Sequence, residues 1–268
     1  MPLDFIICQK KVGYENLFDA FKDLEDMLGS SKYDSNENRS LLILPELWIS
    51  GFNRDRLSYF SQYKDEILRR LKKFSYKHRS YIAVTLVELS ENKNNKYINT
   101  FFVIDPDGRI LARYSKMHLF PLTGEQTIFE KGHSPTIVEI ENVKIGLSIC
   151  YDIRFPELFR YYARNNVDAV IVSACFPQPR EAHWDILLQA RSVENQFYVI
   201  GVNAVGQDKV LGETLNYFGN SRIVSPLGET LRLLGGEEAI VLQHIDEREA
   251  RNYRKKIHFI KDERSLYA

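Results

Sequence analysis

Short apolar runs alternate with amphipathic helical stretches along most of the chain, and that alternation restricts the fold to α/β layers. Residues 3–8 form the first apolar run. Over residues 14–28, Leu17, Phe18, Phe21, Leu24 and Leu28 recur at helical spacing, with Gly29 as a stop. Residues 30–40 are polar and read as a loop. Leu41-Leu42-Ile43-Leu44 is too short for a helix and is closed by Pro45, so it reads as a buried strand with Glu46 at its C-terminal end. A helix over 61–78 and a strand over 80–88 follow. Strands over 97–104 and 110–115 flank the turn Pro106-Asp107-Gly108-Arg109, and Lys116 comes just past the second. Residues 137–140 and 143–150 read as a hairpin around Glu141-Asn142. Pro156 opens a helix to about Asn165. A strand over 169–173, a helix over 181–195 and a strand over 197–203 come next. A late β region covers 218–224, 230–234 and 239–244, and a charged helix covers 246–256.

The chain has 268 residues, long enough for two average domains. No linker interrupts its middle, so residues 1–268 read as one domain. Lysine plus arginine and aspartate plus glutamate both number 36, and zero net charge argues against nucleic acid as the main partner. Three cysteines, Cys8, Cys150 and Cys175, are too few and too widely spaced for a disulfide framework or a zinc site. They fit a reduced, cytoplasmic setting. The N-terminus lacks the basic start and apolar stretch of a signal peptide, and no run approaches the ~20 apolar residues of a membrane helix.

Glu46, Lys116 and Cys150 each follow an apolar strand, and ligands of α/β sheets gather beyond strand C-termini. Their chemistry is complementary. A carboxylate can take a thiol's proton, and an ammonium can lower the thiol's pKa and stabilise the oxyanion formed when sulfur attacks a carbonyl. Taken singly, each has a plainer reading: a small buried hydrophobe for Cys150, a loop carboxylate for Glu46, a solvated amine for Lys116. Spacing alone does not bring the three together.

The flanking residues add a resemblance. Pro45-Glu46-Leu47-Trp48-Ile49-Ser50-Gly51-Phe52, Tyr114-Ser115-Lys116-Met117-His118-Leu119-Phe120 and Gly146-Leu147-Ser148-Ile149-Cys150-Tyr151-Asp152-Ile153-Arg154-Phe155-Pro156-Glu157 resemble, in order, the glutamate, lysine and nucleophile motifs of the nitrilase-like carbon–nitrogen hydrolase superfamily. His183-Trp184 with Ala190-Arg191-Ser192-Val193-Glu194-Asn195, and Gly219-Asn220-Ser221 through Pro226-Leu227-Gly228, are similar to later family segments, so the likeness runs to about residue 245. It implies an α-β-β-α four-layer sandwich and association through a helix face into a homodimer or larger homo-oligomer. It also implies a cysteine-dependent amidase acting through a thioester, with no metal or organic cofactor. Glu46 would be the general base, Cys150 the nucleophile, and Lys116 with the Tyr151 N–H the oxyanion site. The family's second glutamate matches Glu125, because Phe129 and Gly132 follow it; Glu130 competes for that place.

Nitrile-hydrolysing members commonly carry Cys-Trp-Glu, whereas Cys150-Tyr151-Asp152 with Arg154 and Phe155 is similar to the branch containing ω-amidase and the deaminated-glutathione amidase. That implies a small amide substrate bearing a carboxylate, such as 2-oxoglutaramate. Arg154 suits a carboxylate contact, because its fork binds two oxygens, or else an internal salt bridge with Glu157. Phe176 would narrow the pocket, and Cys175 is a neighbouring thiol or packing. The alternatives are an N-carbamoyl-amide hydrolase, a nitrilase and a non-catalytic binding module. A Ser-Ser-Lys amidase would need a Gly/Ser-rich nucleophile region, which is absent.

Overall fold

The computed structural model describes residues 3–30, 39–92, 95–210 and 212–264. The loop read over 30–40 falls mostly outside them. In chain order the strands of the first half are β1 (Leu3–Gln9), β2 (Arg39–Ile43), β3 (Tyr81–Leu89), β4 (Tyr97–Ile104), β5 (Ile110–Ser115) and the short β6 (Phe129–Glu130). Those of the second half are β7 (Ile137–Ile140), β8 (Val143–Ile149), β9 (Ala169–Ala174), β10 (Tyr198–Asn203), β11 (Val205–Val210), β12 (Glu213–Phe218), β13 (Arg222–Val224), β14 (Thr230–Leu233) and β15 (Ala239–His244). The helices are α1 (Leu17–Ser30), α2 (Arg54–Gln62), α3 (Lys64–His78), α4 (Glu125–Ile128), α5 (Pro156–Arg164), α6 (Glu181–Asn195) and α7 (Glu247–Lys256).

Two mixed sheets result. One has the order β15-β1-β2-β3-β4-β5, with β6 beside β4; the other has the order β14-β13-β10-β9-β8-β7. Each contains a parallel trio, β1-β2-β3 and β8-β9-β10. Parallel strands covered on both faces read as unbroken apolar runs. The period-two alternation then sorts their side chains. Phe5, Ile7, Leu41 and Ile43 face the second sheet and join Ile145, Leu147 and Val170 in one core. Ile6, Leu42 and Leu44 point the other way, onto Leu24, Leu57, Phe60 and Leu71 of α1–α3. Trp184 and Leu188 of α6 and Phe159 of α5 cover the outer face of the second sheet. Helices, sheet, sheet and helices make the four expected layers.

Several boundaries differ from the sequence reading. The helix over 61–78 is two helices broken at Tyr63, and the first starts at Arg54, where the Asn53 side chain accepts from the N–H groups of Asp55 and Arg56. Only Leu57, Phe60 and Ser61 of α2 are buried, too sparse a pattern to show its period. The strand read over 218–224 is interrupted where Gly219 and Asn220 take φ of 71° and 54°. The antiparallel hairpin β11–β12 was not anticipated, because Gly206, Gln207, Asp208 and Lys209 hide any apolar alternation. The 137–150 hairpin does turn at Glu141-Asn142, both with positive φ as a two-residue hairpin turn demands.

Candidate active site

The chain directions bring four strand ends to one edge of the sandwich. Glu46 lies just past β2, Cys150 past β8 and Cys175 past β9, all at C-terminal ends of parallel strands. Strand β5 is antiparallel to β4, which is antiparallel to β3, so β5 runs with β3 and delivers Lys116 to the same edge.

Glu46 is fully buried in a loop that is riveted to the opposite sheet. Cys175 N–H donates to Glu46 Oε2 (3.0 Å), the Cys175 thiol donates to Glu46 O (3.1 Å), and Ser173 Oγ donates to Leu44 O (2.8 Å). Lys116 is held by its N–H to Asn99 O (3.0 Å) and by its own carbonyl, which accepts from Gly132 N–H (2.7 Å). Gly132 pinches the base of this loop. A Cβ there would lie 2.1 Å from Ser115 O, so no larger residue fits.

Cys150 does not end its strand, as the sequence suggested, but opens a 3₁₀ turn with φ of 47°. A non-glycine residue held there stores strain of ~1–3 kcal/mol, which persists only where the surroundings over-determine it. Asp152 does so. Its buried Oδ2 accepts from Ile149 N–H (2.9 Å) and the Tyr114 hydroxyl (2.7 Å), while Oδ1 accepts from His118 N–H (2.9 Å) and lies 2.8 Å from His118 Nδ1. One carboxylate thereby ties the Cys150 turn to the Lys116 loop.

At the centre, Lys116 Nζ donates to Glu46 Oε1 (2.7 Å) and Glu125 Oε1 (2.9 Å). Asn99 Nδ2 donates to Glu46 Oε1 (2.8 Å), and Glu125 Oε2 accepts from Phe120 N–H (3.0 Å). Glu130 is elsewhere, bonded to Ser90 and Asn92. Burial pushes the Cys150 thiol well above its usual range, and Glu46 adds to the rise by its charge and by taking the thiol's hydrogen bond; Lys116 opposes them. Burial would lower Lys116, but the charges of Glu125 and Glu46 outweigh it and hold the ammonium well above its ordinary value. Burial also raises Glu125, against the pull of Lys116. The resting group is thus a neutral thiol facing a carboxylate, beside a fixed cation.

A pocket with about 410 Å³ of empty space, part of it open to solvent, reaches down to Cys150. Phe176, Val210, Leu215 and Tyr217 give it a largely apolar wall. Arg154 and Arg180 also line it. The Arg154 guanidinium lies 5.4 Å from the Phe176 ring centre and 3.1 Å from His183 Nδ1, and Arg180 lies over Phe120. Among the described residues neither arginine forms an ion pair, so the alternative bridge from Arg154 to Glu157 is not made. Tyr151, half-buried, follows Cys150 and packs against Phe120 and Phe155.

Arg180, Asn99, Asp152 and Tyr217 did not emerge from the sequence as site residues. Arg180 ends the rigid run Pro177-Gln178-Pro179 beyond β9, and Asn99 interrupts an apolar strand; both were usable signals. Tyr217 had none, since its hairpin was unread.

Comparison with known proteins follows the same lines. The sequence pattern of the carbon-nitrogen hydrolase family matches residues 17–255. A 2-oxoglutaramate amidase of Bacillus subtilis is 35% identical over 226 residues, covering 83% of this chain and 84% of that protein. An omega-amidase of Homo sapiens is 31% identical, covering 87% of each. A CN-hydrolase superfamily protein of Xanthomonas campestris, solved with an arsenic adduct in its active site, superposes with a TM-score of 0.86 at 23% identity, over 100% of this chain and 99% of that one.

Proposed function

Because the chain belongs to the carbon–nitrogen hydrolase family and is an amidase-type hydrolase, we propose that it cleaves the terminal amide of a small carboxylate, 2-oxoglutaramate or a close analogue, through a thioester on Cys150. The observation that carries this reading is the pocket itself: a buried thiol at its base and, on its walls, two arginines that have no carboxylate partner among the described residues. Such guanidiniums are suited to bind a carboxylate brought by the substrate. The amidase names of the relatives support the same choice.

Glu46 takes the Cys150 proton as sulfur attacks the amide carbon. The developing oxyanion is received by the Lys116 ammonium and the Tyr151 N–H. The proton on Glu46 passes to the nitrogen, the C–N bond breaks, and ammonia leaves a thioester. Water then gives its proton to Glu46 and its oxygen to the acyl carbon, and the released sulfur recovers the proton. Glu125 holds Lys116 in place and supplies negative charge beside it. No step uses a metal or an organic cofactor. Three free cysteines suit a reducing cytoplasm. Tyr161, Ile186 and Val193, exposed on α5 and α6, favour self-association through that helix face, with sedimentation as the check.

The test is ammonia release from 2-oxoglutaramate, glutaramate, an N-carbamoyl amide and a nitrile, in wild type and Cys150→Ala. Cys150-dependent release from the amides is expected, with Arg180→Ala raising KM more than it lowers kcat. Release from the carbamoyl compound or the nitrile alone would refute the substrate assignment.

A further inference from the structure

Tyr217 is 4% exposed, yet it lines the pocket. Its backbone is bridged to Pro177, and Gln178 N–H donates to Asn216 O (2.9 Å), so the β11–β12 hairpin is docked on the segment that follows β9. Asp208 fixes the hairpin's other strand by accepting from Phe52 N–H (2.6 Å) and pairing with Arg56. The ring is therefore held rigidly. Among the described residues its hydroxyl has no hydrogen-bond partner.

Burial first, and then the charges that Cys175, Asp208, Glu46 and Cys150 carry when ionised, push its ionisation well above the ordinary range. It stays a neutral O–H donor. Of the pocket's other polar side chains, Cys175 donates to Glu46 O, Thr123 donates to Phe120 O and Glu125 is bonded to Lys116, while the half-buried Tyr151 is a second phenol on the wall. The arginines suit a carboxylate. A neutral donor held rigidly on this wall matches a neutral acceptor on the substrate.

Resting on the function proposed above, we infer that the Tyr217 hydroxyl donates a hydrogen bond to a carbonyl oxygen carried on the substrate's chain, and so selects 2-oxo acid amides over their plain methylene analogues. 2-Oxoglutaramate and glutaramate differ only in that oxygen, which makes them the diagnostic pair.

The experiment measures kcat and KM for both amides in wild type and Tyr217→Phe. Tyr217→Phe is expected to lose about tenfold in kcat/KM for 2-oxoglutaramate, the worth of one hydrogen bond, and to stay within about twofold for glutaramate. Equal losses on both amides would mean that the hydroxyl only supports the wall, and no loss on either would mean that it touches nothing; each overturns the inference while leaving the amidase reading intact. A wild type inactive on both amides would overturn the amidase reading and this inference together.

Discussion

Asp152→Asn tests how the nucleophile turn is held. The substitution preserves shape but replaces one acceptor oxygen by an NH₂ group that needs acceptors. If that group faces His118, the His118 N–H loses its acceptor; if it faces Tyr114, the Ile149 N–H does. Either way one buried backbone donor is stranded, at a cost of ~1–3 kcal/mol, and the surviving bonds lose a charged partner, roughly 1 kcal/mol each. With two bonds surviving, the sum is roughly 3–5 kcal/mol. For a chain of this size, each kcal/mol lowers Tm by about 2–4 °C, so a fall of roughly 6–20 °C is expected. Activity suffers separately. Ile149 leads directly into Cys150, and His118 lies two residues past Lys116, so loosening the clamp shifts nucleophile and cation relative to each other. A displacement of about 1 Å costs ~10²-fold, which should fall on kcat and leave KM nearly unchanged. Thermal unfolding and steady-state ammonia release measure the two effects. A variant with lowered Tm but kcat within threefold of wild type would refute the positioning argument, leaving Asp152 a stabiliser only.

Lys116→Met should abolish measurable turnover and destabilise the fold by ~3–5 kcal/mol at neutral pH, because it removes one partner of a buried ion cluster. Glu125, already raised by burial, then loses the cation that opposed the rise. A carboxyl whose folded pKa is raised stabilises fully below its unfolded value of 4.5 and loses that contribution as pH climbs through the folded value. The deficit measured by denaturant unfolding should therefore shrink at acid pH; a deficit independent of pH would contradict it. The raised Cys150 thiol predicts that alkylation by iodoacetamide without substrate still accelerates above pH 9.0, and a rate plateau below that value would show a thiolate already formed at rest.

The residues that carry the proposed chemistry were legible because each sits in a local stretch whose strand and turn specify it. Glu46 follows a four-residue apolar run and a proline; Lys116 and Cys150 likewise follow strands whose apolar character shows without their neighbours. What stayed hidden depends on partners distant in sequence. Asp152 matters because Tyr114 and His118 arrive from another sheet, and Asn99 because it meets Glu46. Tyr217 stands on a hairpin outside both sheets, whose polar strand β11 carries no readable period. Local patterning also could not place the break at Tyr63, where two helices share a boundary with no glycine or proline to announce it.

The rivets between the Glu46 loop and the end of β9 bear on how the two sheets can move. Glu46 and Cys150 stand on opposite sheets, so their separation is set by the layer spacing rather than by any one loop. With Cys175 and Ser173 bonded across that gap, sliding one sheet past the other at this edge would break several buried hydrogen bonds at once. At the opposite edge the sheets are tied by the partly buried Tyr81 hydroxyl and by Arg39, both reaching Glu141 of the β7–β8 turn, so the thiol and the carboxylate stand at the more deeply bonded end of a sandwich that is pinned at both.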